Sequence, residues 1–222
     1  MTPPDHLLDP SLHSGPALRV LPVGEWQENC HLLVDRPTQE GLLIDPGDEG
    51  GRILEWIAGV SVRLILLTHA HRDHLGALAE ARATLRVPVG LHRDDEPLAA
   101  KYNVFPDFAL NDGDVLRLGA HEIRVAHAPG HTLGSVCLRF DSRAIVGDAV
   151  FPGGPGHTHT PEEFNRSLAS LQRTAFTWPD DTTLYPGHGQ PTTVGRERPG
   201  FEALLAGPRP PDMCGDVTWE VA

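Results

Sequence analysis

The chain has 222 residues, 40% of them hydrophobic, which is enough for one domain with a sizeable core and tight for two. Its formal net charge of −12, from 18 basic and 30 acidic residues, disfavours nucleic acid and anionic membranes as partners, because phosphate binding needs clustered Lys and Arg. Three cysteines, an odd count with no C-x-x-C pair, argue for reduced thiols rather than a disulfide framework.

Residues 1–16, rich in Pro, Asp, His and Ser, read as a loose N-terminal arm. They lack the basic and apolar stretches of a signal peptide. No apolar run approaches the ~18 residues that span a bilayer, so the expected location is the cytoplasm. "ALRVLPV", "CHLLVD" and "GLLIDPG" read as successive strands closed by turn residues. "GGRILEWIAG" spaces Ile53, Leu54, Ile57 and Ala58 as a helix, ended by Gly59. "VRLILLTH" is an unbroken apolar run, a strand covered on both faces. Asp73–Leu85 reads as one helix, "VPVGLH" as a strand, Asp94–Ala100 as a short helix and "NVFPDFALNDG" as a loop turning at Asp112-Gly113. "VLRLG", "HEIRVAHAPG", "SVCLRF" and "AIVGDAVF" form a second set of strands. After the glycine-rich "PGGPGHTHT", Thr160 as N-cap, Pro161 at the first helical position and Glu163 closing a capping box start a helix to about Ala175. "TTLYPGHG" is a strand entering a turn, "FEALLAG" a short last helix, and 207–222 a Pro-rich C-terminal tail. The alternation suits a layered α/β domain over 17–206, with helices outside two sheets.

One stretch has no packing purpose. "THAHRDH" puts His69, His71, Asp73 and His74 into six positions directly after the buried strand. At i, i+2 spacing His69 and His71 can point to one side of an extended segment. Three imidazoles and a carboxylate belong poorly in an apolar core, but suit zinc or a similar metal, which takes His N at ~2.0–2.1 Å and carboxylate O at ~2.0–2.2 Å. His131 in "HAPGHTLGS", Asp148 in "AIVGDAVF" and His188 in "LYPGHG" complete a ligand-type set, each at a strand end where loops converge on a cleft. Isolated histidines (His31, His92, His121, His127) read as surface or satisfied core residues.

"THAHRDH", "PGHTLGS", "GDAVF" and "YPGHG", in this order, resemble the metallo-β-lactamase superfamily of metallohydrolases. With "WQENCHLLVD", "LLIDPG" and "FPGGPGHTHTP", the chain looks most like its glyoxalase II (hydroxyacylglutathione hydrolase) group, in a short form. The resemblance implies an αββα sandwich, two mixed β-sheets flanked by helices, with a dinuclear metal site at the sheet edges. His69, His71 and His131 would hold one ion, and Asp73, His74 and His188 the other, with Asp148 bridging them. The ions would be zinc first, with iron or manganese also fitting these ligands. The implied reaction is hydrolysis of a small-molecule thioester or ester, such as an S-lactoylglutathione-like hydroxyacyl thioester, by a metal-bridging hydroxide that Asp73 helps to orient. A thiol with a pKa near ~8.5 leaves without a strong general acid.

The chain departs from glyoxalase II proper in two places. Only 34 residues follow His188, so the C-terminal helical domain that helps to hold glutathione has no counterpart. His157-Thr158-His159 replaces a common Arg-Thr-Asp stretch. His157, His159 and Arg72 either touch substrate or are loop and surface residues beside the site. Two other activities fit the same motifs. One is a persulfide dioxygenase with a single iron on His69, His131 and Asp148; the other is a lactonase. No feature of the sequence fixes an oligomeric state.

Overall fold

The structure, a computed structural model, describes residues 15–219. The expected arm therefore lies outside the described residues except for Gly15 and Pro16, which are buried. In chain order the elements are β1 (Ala17–Val23), β2 (Glu28–Asp35), β3 (Glu40–Ile44), α1 (Gly50–Trp56), β4 (Ser61–Leu66), α2 (Arg72–Leu75), α3 (Leu78–Leu85), β5 (Val89–Leu91), α4 (Glu96–Ala100) and β6 (Phe108–Ala109). There follow β7 (Val115–Leu118), β8 (His121–His127), β9 (Val136–Phe140), β10 (Arg143–Gly147), β11 (Val150–Phe151), β12 (Gly154–Pro155), α5 (Pro161–Arg173), β13 (Thr183–Pro186), β14 (Thr192–Thr193) and α6 (Val194–Ala206).

Two mixed six-stranded sheets form, one ordered β1-β2-β3-β4-β5-β6 and the other β14-β13-β10-β9-β8-β7. Three apolar layers follow from strand alternation. Leu33, Leu42, Ile44 and Leu66 of the first sheet meet Ile123, Val125, Leu138, Phe140 and Ile145 of the second. The opposite faces, through Cys30, Leu32, Leu43 and Ile65, pack on Ile53 of α1 and on Leu78 and Ala81 of α3. Ala144, Val146 and Leu184 pack on Phe164, Leu168 and Leu171 of α5 and on Phe201 and Leu204 of α6. The αββα sandwich and its two flanking helical layers are thus as expected. Among the described residues no helix is long and apolar enough to cross a membrane, and all three cysteines are free.

Three local expectations need correction. The single helix over 73–85 is two helices, broken at Gly76-Ala77. Ala77 N–H donates to Pro46 C=O at 3.0 Å instead of continuing the helix. A Cβ on Gly76 would sit 2.4 Å from Gly47 O, so the chain needs glycine there to let the Asp45–Gly47 turn come close. The last helix starts at Val194, capped by the Thr193 hydroxyl, and carries Pro199 inside it, where a proline reads in sequence as a break. The expected loops over 103–113 and 152–159 contain the two-residue strands β6 and β12. The Thr160–Glu163 capping box is present as expected. The chain beyond α6 packs back on the domain: Trp219, 5% exposed, lies edge-on to Phe176 and Phe201 at 5.9 and 5.8 Å.

His31 sits on β2 with the parity of Leu33, so it faces the layer between the sheets. Both its ring nitrogens are buried with no hydrogen-bond partner among the described residues. Burial, helped by the charge of His74, pushes its pKa down to about 3. An unfolded histidine titrates near ~6.5. Between those values the unfolded chain binds a proton that the fold refuses, so stability falls as pH drops through the window. His31→Leu should flatten this acid limb and raise stability near neutrality by about 1 kcal/mol or more, by removing unpaired buried nitrogens. Urea midpoints of both proteins at pH 7.5 and pH 5 measure it, and a gap that fails to widen at pH 5 counts against the burial argument.

Candidate metal centre

The residues singled out in the sequence converge at one edge of the sandwich. β4 ends at Leu66, and His69 and His71 follow in the connection to α2, with His71 extended at its N-cap position. Asp73 and His74 lie on the first turns of α2, where a short helix turns both toward the strand end. His131 comes from the β8–β9 loop, Asp148 follows β10, and His188 follows β13. Gly147, at φ 48°, turns the chain sharply before Asp148. A Cβ there would approach Thr68 Oγ1 to 2.4 Å.

His71 Nδ1 lies 3.1 Å from His69 Nε2 and 2.8 Å from His131 Nε2. The three rings stand nearly perpendicular in pairs, with centroids 4.6–4.8 Å apart. Beside them His188 Nε2 is 3.1 Å from Asp73 Oδ2, and His74 Nε2 is 3.9 Å from the same oxygen. Asp148 lies between the groups: Oδ1 is 3.4 Å from His74 Nε2, and Oδ2 is 3.6 Å from His131 Nε2 and 3.8 Å from His188 Nε2. All seven candidate ligands are brought together.

The remote nitrogens explain how the rings are aimed. His131 Nδ1–H donates to His157 C=O at 2.8 Å, and His188 Nδ1–H to Trp26 C=O at 3.0 Å. His74 Nδ1 is 3.1 Å from Asp45 Oδ2, and His69 Nδ1 is 3.1 Å from Thr68 Oγ1. A carbonyl can only accept, so His131 and His188 both carry a proton on Nδ1. His131, whose pKa burial lowers, turns an Nε2 lone pair inward. For His188 burial is outweighed by the hydrogen bond to Asp73 and the charge of Asp148, which raise its pKa. Such outer partners are how proteins orient metal-binding histidines.

Charge follows the same division. Burial, then the other imidazoles, holds the His69 pKa well below the ordinary histidine value. Burial and the charge of His131 bring His71 down to about 4, and burial lowers His131 against the pull of Asp148. These three rings are neutral at pH 7, as metal binding requires. For His74 burial opposes the charge, but the carboxylates of Asp148 and Asp45 outweigh it and the pKa is raised well above the ordinary value. Burial likewise works against ionisation of Asp148, yet His74, His131 and His188 hold its pKa well below the usual carboxylate range.

The donor set fits metal ions. His74 Nε2 and Asp148 Oδ1 are buried, 3.4 Å apart, and without a hydrogen-bond partner among the described residues. A Cβ on Gly187 would sit 2.2 Å from Asp148 Oδ1 and 2.5 Å from His74 Cε1, so the loop before His188 closes over these atoms only because position 187 is glycine. A divalent ion held between the carboxylate and the imidazole nitrogens would take the place of the protons that His74 and His188 otherwise keep.

Several contributors were not visible in the sequence. Asp45, at φ 51°, accepts hydrogen bonds from Thr68 N and Oγ1 as well as facing His74. Glu28 is buried behind His74, its Oε1 3.6 Å from His74 Nδ1, and burial raises its pKa well above the ordinary value despite His74. Asn29 donates to Pro186 and Gly189 carbonyls and so tethers the His188 loop. Asp95 accepts from Ala70 N at 2.9 Å, Thr132 Oγ1 at 2.8 Å and Gly134 N at 2.7 Å, tying the His69–His71 segment to the His131 loop. Of the three candidate substrate contacts, His157 lines the cleft in front of the histidines. His159 is outside that lining, in edge contact with the His157 ring. Arg72 is exposed on the first turn of α2. His92 and His127 stack on each other at 3.8 Å, and His121 faces Asp35 at 3.3 Å.

Residues 23–188 match the metallo-beta-lactamase superfamily, and the chain belongs to it. It is 29% identical over 201 residues to hydroxyacylglutathione hydrolase GloC of Haemophilus influenzae, covering 82% of this chain and 94% of that one. It is 32% identical over 205 residues to the probable metallo-hydrolase YqgX of Bacillus subtilis, covering 81% and 93%. Among solved structures, TTHA1623 in a di-iron-bound form superposes with a TM-score of 0.68 at 32% identity, over 81% of this chain and 96% of that one. The fold and the metallohydrolase superfamily are therefore established, and the His/Asp cluster is one that can bind metal.

Asp95→Ala would leave Ala70 and Gly134 N–H buried without an acceptor, at a cost of about 2 kcal/mol or more. It should also weaken metal binding about 10–100-fold, as loss of an outer-shell partner does. Urea unfolding and chelator competition measure the two effects, and unchanged metal affinity would refute the role of Asp95 as the tie between the loops.

Proposed function

We propose that this protein is a metal-dependent hydrolase of small-molecule thioesters, acting in the cytoplasm, with residues 17–206 as its catalytic domain. The observation that carries the reading is the position of Asp148, whose two oxygens face the two groups of histidines. In this reading His69, His71 and His131 would hold one divalent ion, and Asp73, His74 and His188 the other. Asp148 would serve both, and zinc or iron suits the donors. The likeness to GloC and YqgX supports a hydrolase.

When bound, two such ions polarise a carbonyl and bring the pKa of a water near neutrality. The chain's own residues supply orientation. Asp73, partly exposed, with its Oδ2 3.1 Å from His188 Nε2, would accept a hydrogen bond from the attacking water. The water oxygen bonds to the carbonyl carbon, the C–S bond breaks, and the proton passes through Asp73 to solvent. The thiol leaves as thiolate, since its pKa of about 8.5 demands no acid from the protein. That fits a cleft lined by no lysine, arginine or tyrosine among the described residues.

Asp148→Ala should lower hydrolysis of S-lactoylglutathione and simpler acyl thioesters by more than about 100-fold, beyond what an outer-shell loss costs, and should abolish tight metal binding. Initial rates on a panel of thioesters and lactones, with metal analysis of the same samples, measure this. Full activity in the variant defeats the assignment. One iron per chain, with oxygen uptake on glutathione persulfide and no hydrolysis, would replace it by the dioxygenase reading. Lactone hydrolysis alone would replace it by the lactonase one.

A further inference from the structure

The cleft has an outer half that the hydrolytic chemistry above does not use. The whole cleft holds about 410 Å³ and runs from His131, Asp148 and His188 to the chain beyond α6. Its outer walls are Phe151, Pro152 and Pro155 of the β11–β12 hairpin on one side and Val217 on the other, with His157 and Asp216 at the rim.

The segment opposite the hairpin is fixed in place. Trp219 N–H donates to Gly153 C=O at 2.7 Å, and its indole Nε1–H to Glu197 Oε2 at 2.7 Å. Gly215 N–H donates to Thr158 C=O at 2.7 Å. A Cβ on Gly154 would lie 2.4 Å from Val217 O, so hairpin and segment are in close backbone contact. The Asp216 side chain is 90% exposed and reaches His157 Nδ1 at 2.9 Å. No lysine or arginine lines the cleft among the described residues.

We propose that this outer half receives the arm of the thioester that carries the thiol, and that it selects an uncharged, amide-bearing arm over one with carboxylates. The inference rests on the thioester-hydrolase reading and narrows its substrate class. Carboxylates brought against Phe151, Pro152, Pro155 and Val217 would lose water and find no lysine or arginine there in return, while the rim imidazole of His157 is already engaged by Asp216. Asp216 adds a like charge at the rim, which repels them further. An uncharged arm buries apolar surface on the same walls. Its amide N–H finds an acceptor in the Asp216 carboxylate, which has capacity left beside its contact with His157.

The test compares two esters of one lactoyl group, carried on N-acetylcysteamine and on glutathione, using metal-loaded full-length protein. The wild type should favour the uncharged carrier in kcat/KM by about tenfold. Asp216→Lys should move that ratio toward glutathione by about fivefold, with the shift shrinking in about 0.5 M salt as screening sets in. Asp216→Asn should fall between the two. A wild type that prefers the glutathione ester, or a ratio the same in all three proteins, overturns the inference while leaving the hydrolase reading intact. Hydrolysis of neither ester removes the thioester reading and this inference with it.

Discussion

The centre depends on one constraint: for four of its five rings the far nitrogen decides where the near one points. Two of the rings give a proton to a backbone carbonyl that cannot move without breaking a strand end or loop. A third leans on a buried aspartate that is itself held by a backbone N–H and a hydroxyl. Ring nitrogens and carboxylate oxygens are thereby forced inward before anything binds. The arrangement is costly for the protein alone, with several of these polar atoms buried and unpaired. That cost is what makes a cation welcome there.

The constellation is divided between the two halves of the sandwich. The sheet containing β4 leads into His69, His71, Asp73 and His74, while the sheet containing β8, β10 and β13 leads into His131, Asp148 and His188. The halves are joined across the edge by short hydrogen bonds. Val136 N–H donates to Thr68 C=O at 2.9 Å, Asn29 N–H donates to Gly187 C=O at 2.7 Å, and Asp95 binds segments on both sides. The apolar layer between the sheets sets the distance, and these bonds set the register. The two halves of the cluster therefore meet only where the sheets are docked.

Much of this was legible in the sequence, and the reason is chemical. Four ligand-type residues packed after an apolar strand cannot serve a core, so they declare themselves, and the strand-end positions of His131, Asp148 and His188 point the same way. The outer partners do not declare themselves. Asp45 stands in "IDPG" and Asp95 in "RDDE", where an aspartate is ordinarily a turn or cap residue; only three-dimensional contact distinguishes them. Glu28 and Asn29 stand just ahead of the run read as a strand from Cys30, and nothing in that run marks them as partners of the site. The break at Gly76 was hidden because its cause, the carbonyl of Gly47, lies far away in sequence. Pro199 misled in the opposite sense: a proline reads as a break, yet it is the sixth of thirteen residues in α6 and the helix runs through it. The course of the chain after α6 could not be read from composition, since Pro-rich segments pack or not according to the surface they meet.

That last segment gives distant positions a say in what the cleft admits. Glu197, buried on α6, accepts from Gly153 N–H, from the Trp219 indole and from the Thr192 hydroxyl. One carboxylate thus clasps the hairpin, the returning chain and an edge strand, although it touches neither histidine nor cleft. Drift in α6 or around Trp219 would reshape the doorway while the metal-binding residues stayed untouched. Relatives with identical centres can in this way diverge in what they accept.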